Sequence, residues 1–594
     1  MNQANRPAFF TALLFWLFSL TLATASCSQD QKDNTQADGG TAGTTGAGTT
    51  KAGGAQPKLD SVYVVRAMNA EPAFKDQLIW AKKFYREREF RLGWFRNHEV
   101  VPQAKTLLSV ITKAADEGLD PKKYQVKDFN KLFAELEKAQ GDSVRRNALE
   151  KEIDVALSGT YFNYASDFYR GTVNPREVKG IDWDVKRNKI KLHRALQTIL
   201  KERESTYPYY EFEPLHPEYE GLKKALADYR IIQRNGGWPT LPAGTKLKPG
   251  DSSPNVAILR QRLLGGAATG TPAAAPAASN ISATPAQTVA NGSAAPAPAP
   301  KYEGELVEAV KEFQRTTGLK VDGIVSGETV KQLNIPVSDR VRQITVNMER
   351  WRWAPKRFEK NYLLVNIPDY KLHVVENDKE VFDMRVIVGK TLNATPVFSD
   401  KLEYVVLSPY WNVPWSIIEK ELKPKLINNP SYLDHLDMEV VKGSGKKAVA
   451  VSPSSIDWSS IEEKSFKYTV RRRPGPKNDL GEVKFIFPNS NDIYLHDTPH
   501  DELFNQGKRG FSHGCVRVEE PLKLAEYLLR NKHGWDMQTI QDTIAERREK
   551  YVSLKETLPV YLVYFTAWVD ESGRVNFRDD IYGHDKALAQ EYFN

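Results

Sequence analysis

The chain has 594 residues, 41% of them hydrophobic and 27% charged, with a formal net charge of +8 and a mean hydropathy of −0.51. That length divides into three or four domains at about 150 residues each. The modest positive balance, with no concentrated basic stripe carrying interleaved aromatics, excludes a dedicated nucleic-acid binder and suits a protein exported to anionic surroundings. Only two cysteines occur, Cys27 and Cys515, in settings so unlike that a disulfide framework is excluded as well.

The first residues read as an export signal: Arg6, an apolar run from Phe9 to Leu22, then small residues Ala23 to Ser26. The run is short for a membrane span of about 20 residues. With Cys27 directly after Thr24-Ala25-Ser26, the segment resembles a bacterial lipoprotein signal (1–27), which implies a lipid on Cys27. Residues 28–57, rich in Gly, Thr and Ala without large apolar side chains, read as a disordered tether.

From 58 to 240 apolar residues recur at helical spacing, as in Leu78, Ala81, Phe84 and Tyr85, or Leu107, Leu108, Ile111 and Ala115 before Gly118. This predicts a helical scaffold domain whose aromatics, Trp80, Phe84, Tyr85, Trp94 and Phe95, form core. Between 245 and 335, one helix carries Val256, Leu259 and Leu263, and a second carries Leu306, Val310 and Phe313 and stops at Gly318. With Phe313-Gln314 and Val321-Asp322-Gly323, the segment resembles the small three-helix peptidoglycan-binding-like module, as a wall binder or as a packing adapter. The Ala/Pro/Thr tract 265–300 within it reads as a disordered insertion.

Beyond Tyr362 the texture turns to strands: 362–367, 370–375, 381–388, 404–407, 483–487 and 493–496. The excursion 415–481, with turn residues and the run Arg471-Arg472-Arg473, reads as an inserted lid or a solvated loop. An amphipathic helix opens at Pro521 after Glu519 and Glu520. Residues 569–594 form a C-terminal extension to which no role attaches.

Cys515 sits in Phe511-Ser512-His513-Gly514-Cys515-Val516-Arg517, with His496 nineteen positions upstream in Tyr494-Leu495-His496-Asp497-Thr498. A free thiol is only a few per cent ionised at neutral pH, so a cysteine nucleophile needs a base beside it. Zinc ligation by His496, His500, His513 and Cys515 fits poorly, because Pro499 breaks any helix that would align the histidines and no second cysteine or acidic pattern completes a set.

A histidine, a spacer of about fifteen residues, then Ser-His-Gly-Cys-Val-Arg resembles the L,D-transpeptidase family of cell-wall enzymes. Asn347-Met348-Glu349-Arg350-Trp351-Arg352-Trp353, Pro409-Tyr410-Trp411-Asn412-Val413-Pro414 and His496-Asp497-Thr498-Pro499 resemble its large multidomain branch. The resemblance implies a multidomain α+β chain: helical scaffold, three-helix module and a mostly β catalytic domain at 340–568. It implies Cys515 as nucleophile, His496 as proton acceptor and donor with its tautomer fixed near Asp497, and His513 shaping the pocket. Gly514 and Cys515 would offer oxyanion N–H groups, with the thiol held as thiolate by the imidazolium.

Ser512, Arg517, Trp411 and Asp497 are candidate substrate contacts, although Arg517 equally fits a pair with Glu519 or Glu520, and Trp411, Trp415 and Phe511 equally fit core packing. The implied partners are peptidoglycan stem peptides and, through the lipid, a membrane. The implied place is the periplasm, at the outer membrane rather than the inner, with no metal or organic cofactor. The same cysteine would also serve an L,D-carboxypeptidase or crosslink hydrolase, and a silent wall-binding scaffold is the rival of another class.

Overall fold

The structure, a computed structural model, describes residues 56–181, 183–201, 216–265, 299–355, 357–443 and 445–593. Cys27, nearly all of the tether and nearly all of the 265–300 insertion lie outside the described residues. No helix among the described residues is long and apolar enough to cross a membrane.

The N-terminal region is helical: α1 (Ser61–Ala70), α2 (Leu78–Glu87), a short hairpin β1 (Phe95–Arg96) and β2 (Glu99–Val100), α3 (Pro102–Thr112), α4 (Phe129–Lys138), α5 (Ser143–Arg170), α6 (Leu192–Lys201) and α7 (Pro217–Arg234). Asp60, Asp128 and Asp142 cap α1, α4 and α5 by accepting backbone N–H groups of the first turn. The long helix α5 is buried around its whole circumference from Ile153 to Tyr169, so it is the core element on which the others pack. One of its buried carboxylates, Asp154, accepts from Tyr85 Oη and from the Trp94 N–H, both at 2.7 Å. Phe84, Tyr85, Trp94 and Phe95 are buried there, as core aromatics should be, and Trp80 packs against them half-exposed.

Helices α8 (Asn255–Leu264), α9 (Glu305–Thr316) and α10 (Gly327–Leu333) build the small module around Val256, Leu259, Leu306 and Val310. The Phe-Gln and Val-Asp-Gly spacing has a physical meaning. Buried Gln314 accepts the N–H groups of Asp322 (3.1 Å) and Gly323 (2.9 Å) and donates to Asp322 Oδ1 and Ile324 O, both at 3.0 Å, so one amide fastens the following turn. Helix α11 (Val337–Trp353) then carries the Asn347–Trp353 motif, all of it buried. Arg352 donates to Glu349 (3.0 Å), to Tyr219 Oη (3.0 Å) and to the Glu117 carbonyl (2.5 Å), while Glu349 accepts the Val173 N–H (2.8 Å). The motif therefore joins scaffold to catalytic domain.

The C-terminal domain is built on one nine-stranded sheet. In chain order its strands are β3 (Tyr362–Asn366), β4 (Lys371–Glu376), β5 (Lys379–Gly389) and β6 (Phe398–Leu407), and, after the insertion, five more. The insertion contributes β7 (Trp411–Asn412), α12 (Trp415–Ile417), a π turn over Ile418–Leu422, α13 (Lys423–Asn428), α14 (Tyr432–His435), β8 (Met438–Lys442), β9 (Val449–Val451) and β10 (Thr469–Arg472). Then come β11 (Val483–Ile486), β12 (Leu495–His496), β13 (Gly510–Ser512), β14 (Val516–Val518), α15 (Pro521–Leu529), α16 (Met537–Ala545) and β15 (Lys550–Val563). The spatial order is β13-β5-β14-β12-β11-β6-β15-β3-β4, and β4 also pairs with β5, so eight strands close into a ring with no free edge between them. Alternate residues, among them Leu363, Val365, Leu372, Val374, Val386 and Val388, fill its interior.

The insertion has a sheet of its own, β7-β10-β8-β9, and a separate core that includes Val413, Leu426, Leu433, Trp458 and Val470. Its arginines are paired inside it: Arg471 with Glu439 (2.7 Å), Arg472 with Asp479, and Arg473 with Glu439 (3.0 Å) and Asp437 (3.3 Å). It is a folded subdomain, not a solvated loop.

The C-terminal extension is also folded, as β16 (Ala567–Val569), β17 (Val575–Phe577) and α17 (His584–Tyr592). It touches all three regions. Arg574 pairs with Glu312 (2.6 Å) of the small module, Tyr592 Oη donates to the Gly118 carbonyl (3.1 Å) of the scaffold, and Arg578 pairs with Asp369 (2.6 Å) of the catalytic domain.

Candidate active site

Three short strands place the chemistry on one face. β12 runs parallel to β14 with Leu495 opposite Val516 and His496 opposite Arg517, and antiparallel to β11 with Lys484 opposite His496. Continuing that register back by one residue sets Tyr494 beside Cys515, where Val516 N–H donates to the Tyr494 carbonyl (3.2 Å). Because side chains alternate with period 2, Tyr494 and His496 share a face with Cys515, Arg517 and Lys484. One row across the sheet is Lys484–His496–Arg517; the next is Tyr494–Cys515.

The thiol is partly buried, and burial pushes its pKa up. Tyr494 opposes this through both its backbone N–H and its hydroxyl, which are hydrogen-bond partners of the sulfur, and Lys484 adds a positive charge. Sγ also lies 3.8 Å from the Asp492 carbonyl. The Lys484 Nζ sits 3.7 Å from the centre of the Tyr494 ring, and burial lowers its pKa. Neither Tyr494 nor Lys484 stood out in the sequence. The register does signal them: a residue two before a strand histidine shares its face.

His496 is buried, and its Nδ1 lies 2.5 Å from the Asp497 carbonyl. A carbonyl can only accept, so Nδ1 carries the hydrogen and Nε2 keeps its lone pair, the tautomer a general base needs. Burial, with Arg517 and Lys484 alongside, drives the His496 pKa down to about 3, against the Asp497 carbonyl, which raises it. At rest the imidazole is neutral, and no hydrogen bond joins it to Cys515 among the described residues. The resting arrangement is a neutral thiol and a neutral imidazole rather than the ion pair expected from the sequence.

The Asp497 carboxylate turns away from the thiol, accepting from the N–H groups of Glu482 and Thr498, both at 2.7 Å; burial raises its pKa to about 6. Gly481 makes room for it, since a Cβ there would stand 2.2 Å from the Asp497 carboxyl carbon. Its contribution is thus to shape the turn and lend a carbonyl to His496, not to face substrate.

The nucleophile loop is fastened from within. Ser512 Oγ donates to the Cys515 carbonyl (2.5 Å) and accepts the Gly514 N–H (3.1 Å), which takes Gly514 out of the expected pair of oxyanion donors. The Cys515 N–H has no partner among the described residues. Gly514 has φ +120°, a conformation that glycine adopts without strain.

Arg517 pairs with neither Glu519 nor Glu520, because Arg385 takes the first and Lys523 (2.6 Å) the second. It is left without an ion-pair partner among the described residues, and its Nε is buried and unbonded.

His513 is exposed and reaches the inserted subdomain, with Nε2 3.9 Å from Glu421 Oε1. Trp411 is half-buried beneath the Arg472 guanidinium at 5.5 Å, and Trp415 packs on Phe466; both belong to the inserted subdomain's core, while Phe511 stays exposed.

Among the described residues, the one cluster able to share a metal ion is His373, Glu380 and Asp383, and it includes neither Cys515 nor His496. A cavity of about 430 Å³, lined by Trp183, Arg350 and Trp353 among others, lies away from the thiol.

Comparison with known proteins finds matches to three domain profiles. The "Scaffold domain" profile matches residues 80–226, the "Putative peptidoglycan binding domain" 290–333, and the "L,D-transpeptidase catalytic domain" 360–551. A curated relative from Haemophilus influenzae (strain ATCC 51907 / DSM 11121 / KW20 / Rd), described as "Putative L,D-transpeptidase", is 38% identical over 260 residues, 44% of this chain; the chain spans about half (50%) of that relative's length. Two solved structures are similar at low identity. The L,D-transpeptidase of Xylanimonas cellulosilytica is 15% identical, covering 54% of this chain and 99% of that one, with a TM-score of 0.16. The Ldtfm–avibactam carbamoyl enzyme is 9% identical, covering 43% and 80%, with a TM-score of 0.15. The chain thus carries an L,D-transpeptidase catalytic domain, together with a scaffold domain and a peptidoglycan-binding-like domain.

Proposed function

We propose that the protein is a peptidoglycan L,D-transpeptidase that works through a Cys515 acyl-enzyme and joins two diaminopimelate residues. The observation that carries this is the Tyr494–Cys515 row set against His496, whose Nδ1 is committed to a carbonyl and whose Nε2 is therefore free to take a proton. In the first half-reaction His496 Nε2 accepts the thiol proton as sulfur attacks the diaminopimelate carbonyl. The C–N bond to the terminal D-alanine breaks, and His496 returns the proton to that amine. In the second, an acceptor amine attacks the thioester, its proton passes through His496, and the thiol is restored. The unpartnered Cys515 N–H is the donor for the oxyanion in both.

A base held at about 3 is weak, and Arg517 suggests how it strengthens. A substrate carboxylate on Arg517 offsets one of the two cations that depress His496, so basicity rises when the site is filled. The inserted subdomain, touching His513 through Glu421, serves as the lid. Cys27, as the lipid-bearing residue, ties the enzyme to a membrane on the periplasmic side, the outer membrane being favoured, within reach of the wall.

The test is intact mass after incubation with tetrapeptide stem or a carbapenem. An adduct on the wild type that vanishes in Cys515→Ala supports the mechanism; an adduct unchanged by that substitution overturns it. Muropeptide analysis then separates crosslinking from hydrolysis, in which water resolves the same thioester.

A further inference from the structure

The C-terminal extension lies beyond the matched catalytic profile, which stops at 551, yet it reaches the nucleophile loop. Tyr582 Oη donates to the Gly389 carbonyl (2.6 Å) and accepts the Thr395 N–H (3.3 Å). Thr395 Oγ1 in turn accepts the Gly389 N–H (2.9 Å), so its single hydroxyl proton is committed to the Gly514 carbonyl, 2.7 Å away. Tyr582 is itself held, its backbone N–H donating to Tyr564 Oη (2.9 Å), which donates to Asp580 (2.7 Å). Thr395, Gly389 and Gly514 are buried, so water does not compete for these bonds.

A trans peptide points its C=O and N–H in opposite directions. Holding the Gly514 carbonyl toward Thr395 therefore aims the next N–H, that of Cys515, the other way. That N–H has no partner among the described residues.

We propose that Thr395 and Tyr582 are positioning residues for the oxyanion donor: Thr395 sets the plane of the Gly514–Cys515 peptide, and Tyr582, from the C-terminal extension, sets Thr395. The proposal rests on the acyl-enzyme reading above. It assigns the extension a part in the chemistry although it supplies no group that touches substrate.

The experiment compares two reactions of the same thiol in the full-length protein. Acylation by a carbapenem needs the oxyanion donor; alkylation by iodoacetamide does not. Thr395→Val should slow acylation roughly 10- to 100-fold and Tyr582→Phe roughly 10-fold, less than the roughly 10²–10³-fold cost of losing an oxyanion donor outright, since the donor is misaimed rather than removed. Both variants should alkylate at the wild-type rate. Thr395→Ser, which keeps the hydroxyl, should restore acylation.

Acylation at the wild-type rate in Thr395→Val and Tyr582→Phe overturns the proposal. So does a parallel fall in alkylation, which marks a general loosening of the loop. A wild type that alkylates at Cys515 but never acylates sinks the acyl-enzyme reading together with this one, whereas failure in the variants alone leaves that reading standing.

Discussion

Two clusters of charge in this molecule, one fully buried and one half-buried, are built in opposite ways. At the junction of scaffold and catalytic domain, burial alone would lower the pKa of Arg352, yet Tyr219, Tyr592, Glu349 and Glu117 around it outweigh that and raise it. On the Cys515 face, Lys484 and Arg517 are half-buried with no carboxylate in ion-pair range among the described residues, and burial lowers the pKa of both. A buried cation with its full set of partners is structural; one left wanting a partner is poised for a ligand or for a neighbour's chemistry. The more deeply buried cation is the paired one, so pairing, not exposure, keeps Arg352 charged.

The sharpest way to break this contrast is at His496. His496→Asn removes the base and should slow acylation by roughly 10²–10⁴-fold, measured by adduct formation. It should also change the acid stability of the fold. His496 is neutral when folded down to about pH 3, while the unfolded chain binds the proton below about 6.5. The stability due to a neutral imidazole is therefore complete above about 6.5 and is lost as the pH falls toward 3, each unit of the gap being worth about 1.4 kcal/mol. Asp497 works in the opposite sense, because its pKa is raised to about 6 and the cost of burying its charge is relieved as the pH drops through that value. Urea unfolding from pH 7 to 4 should show a flatter profile, or one that turns upward, for His496→Asn. An unchanged slope would contradict the buried neutral imidazole.

Next in size is the structural cluster. Arg352→Met leaves Glu349 buried without its cation and should cost about 3–5 kcal/mol in denaturant unfolding. Lys484→Met removes a cation that has no counter-charge, so it should leave stability nearly unchanged or higher while slowing thiol alkylation. If both substitutions destabilise equally, pairing is not what distinguishes the regions.

The smallest effect concerns the thiol's own partner. Tyr494→Phe removes one hydrogen bond to sulfur and should raise the pH midpoint of alkylation by about one unit, a change of about 1.4 kcal/mol in line with loss of a single bond.

Much of the fold is legible in the sequence where local pattern and final structure agree. Strands β3, β4 and β5 follow runs such as Tyr362–Val365 and Val386–Val388, whose β-branched and aromatic residues fit a closed sheet, and α15 opens at Pro521 as its first turn announces. β15 is hidden because Lys555 and Glu556 interrupt its alternation, at the irregularity between Ser553 and Leu558. β13 and β14 are three residues each, too short to show a period.

In the site, Cys515 and His496 are legible because a thiol needs a base. Ser512 carries a different duty from the expected one, bracing the loop, and Gly514 spends its N–H on that brace. Thr395 and Tyr582 are invisible from sequence, since their link spans 187 positions and neither belongs to a chemical motif.

The contacts of Tyr582 have a consequence for when the protein becomes competent. Every side chain of the proposed catalytic set is in place along the chain by Arg517, but the hydrogen bonds that finish the cysteine's loop need residues 564–582, which are synthesised later. A chain still emerging from the ribosome thus carries its thiol and histidine without the completed loop. Such an order would make reactivity of the thiol the final step of folding.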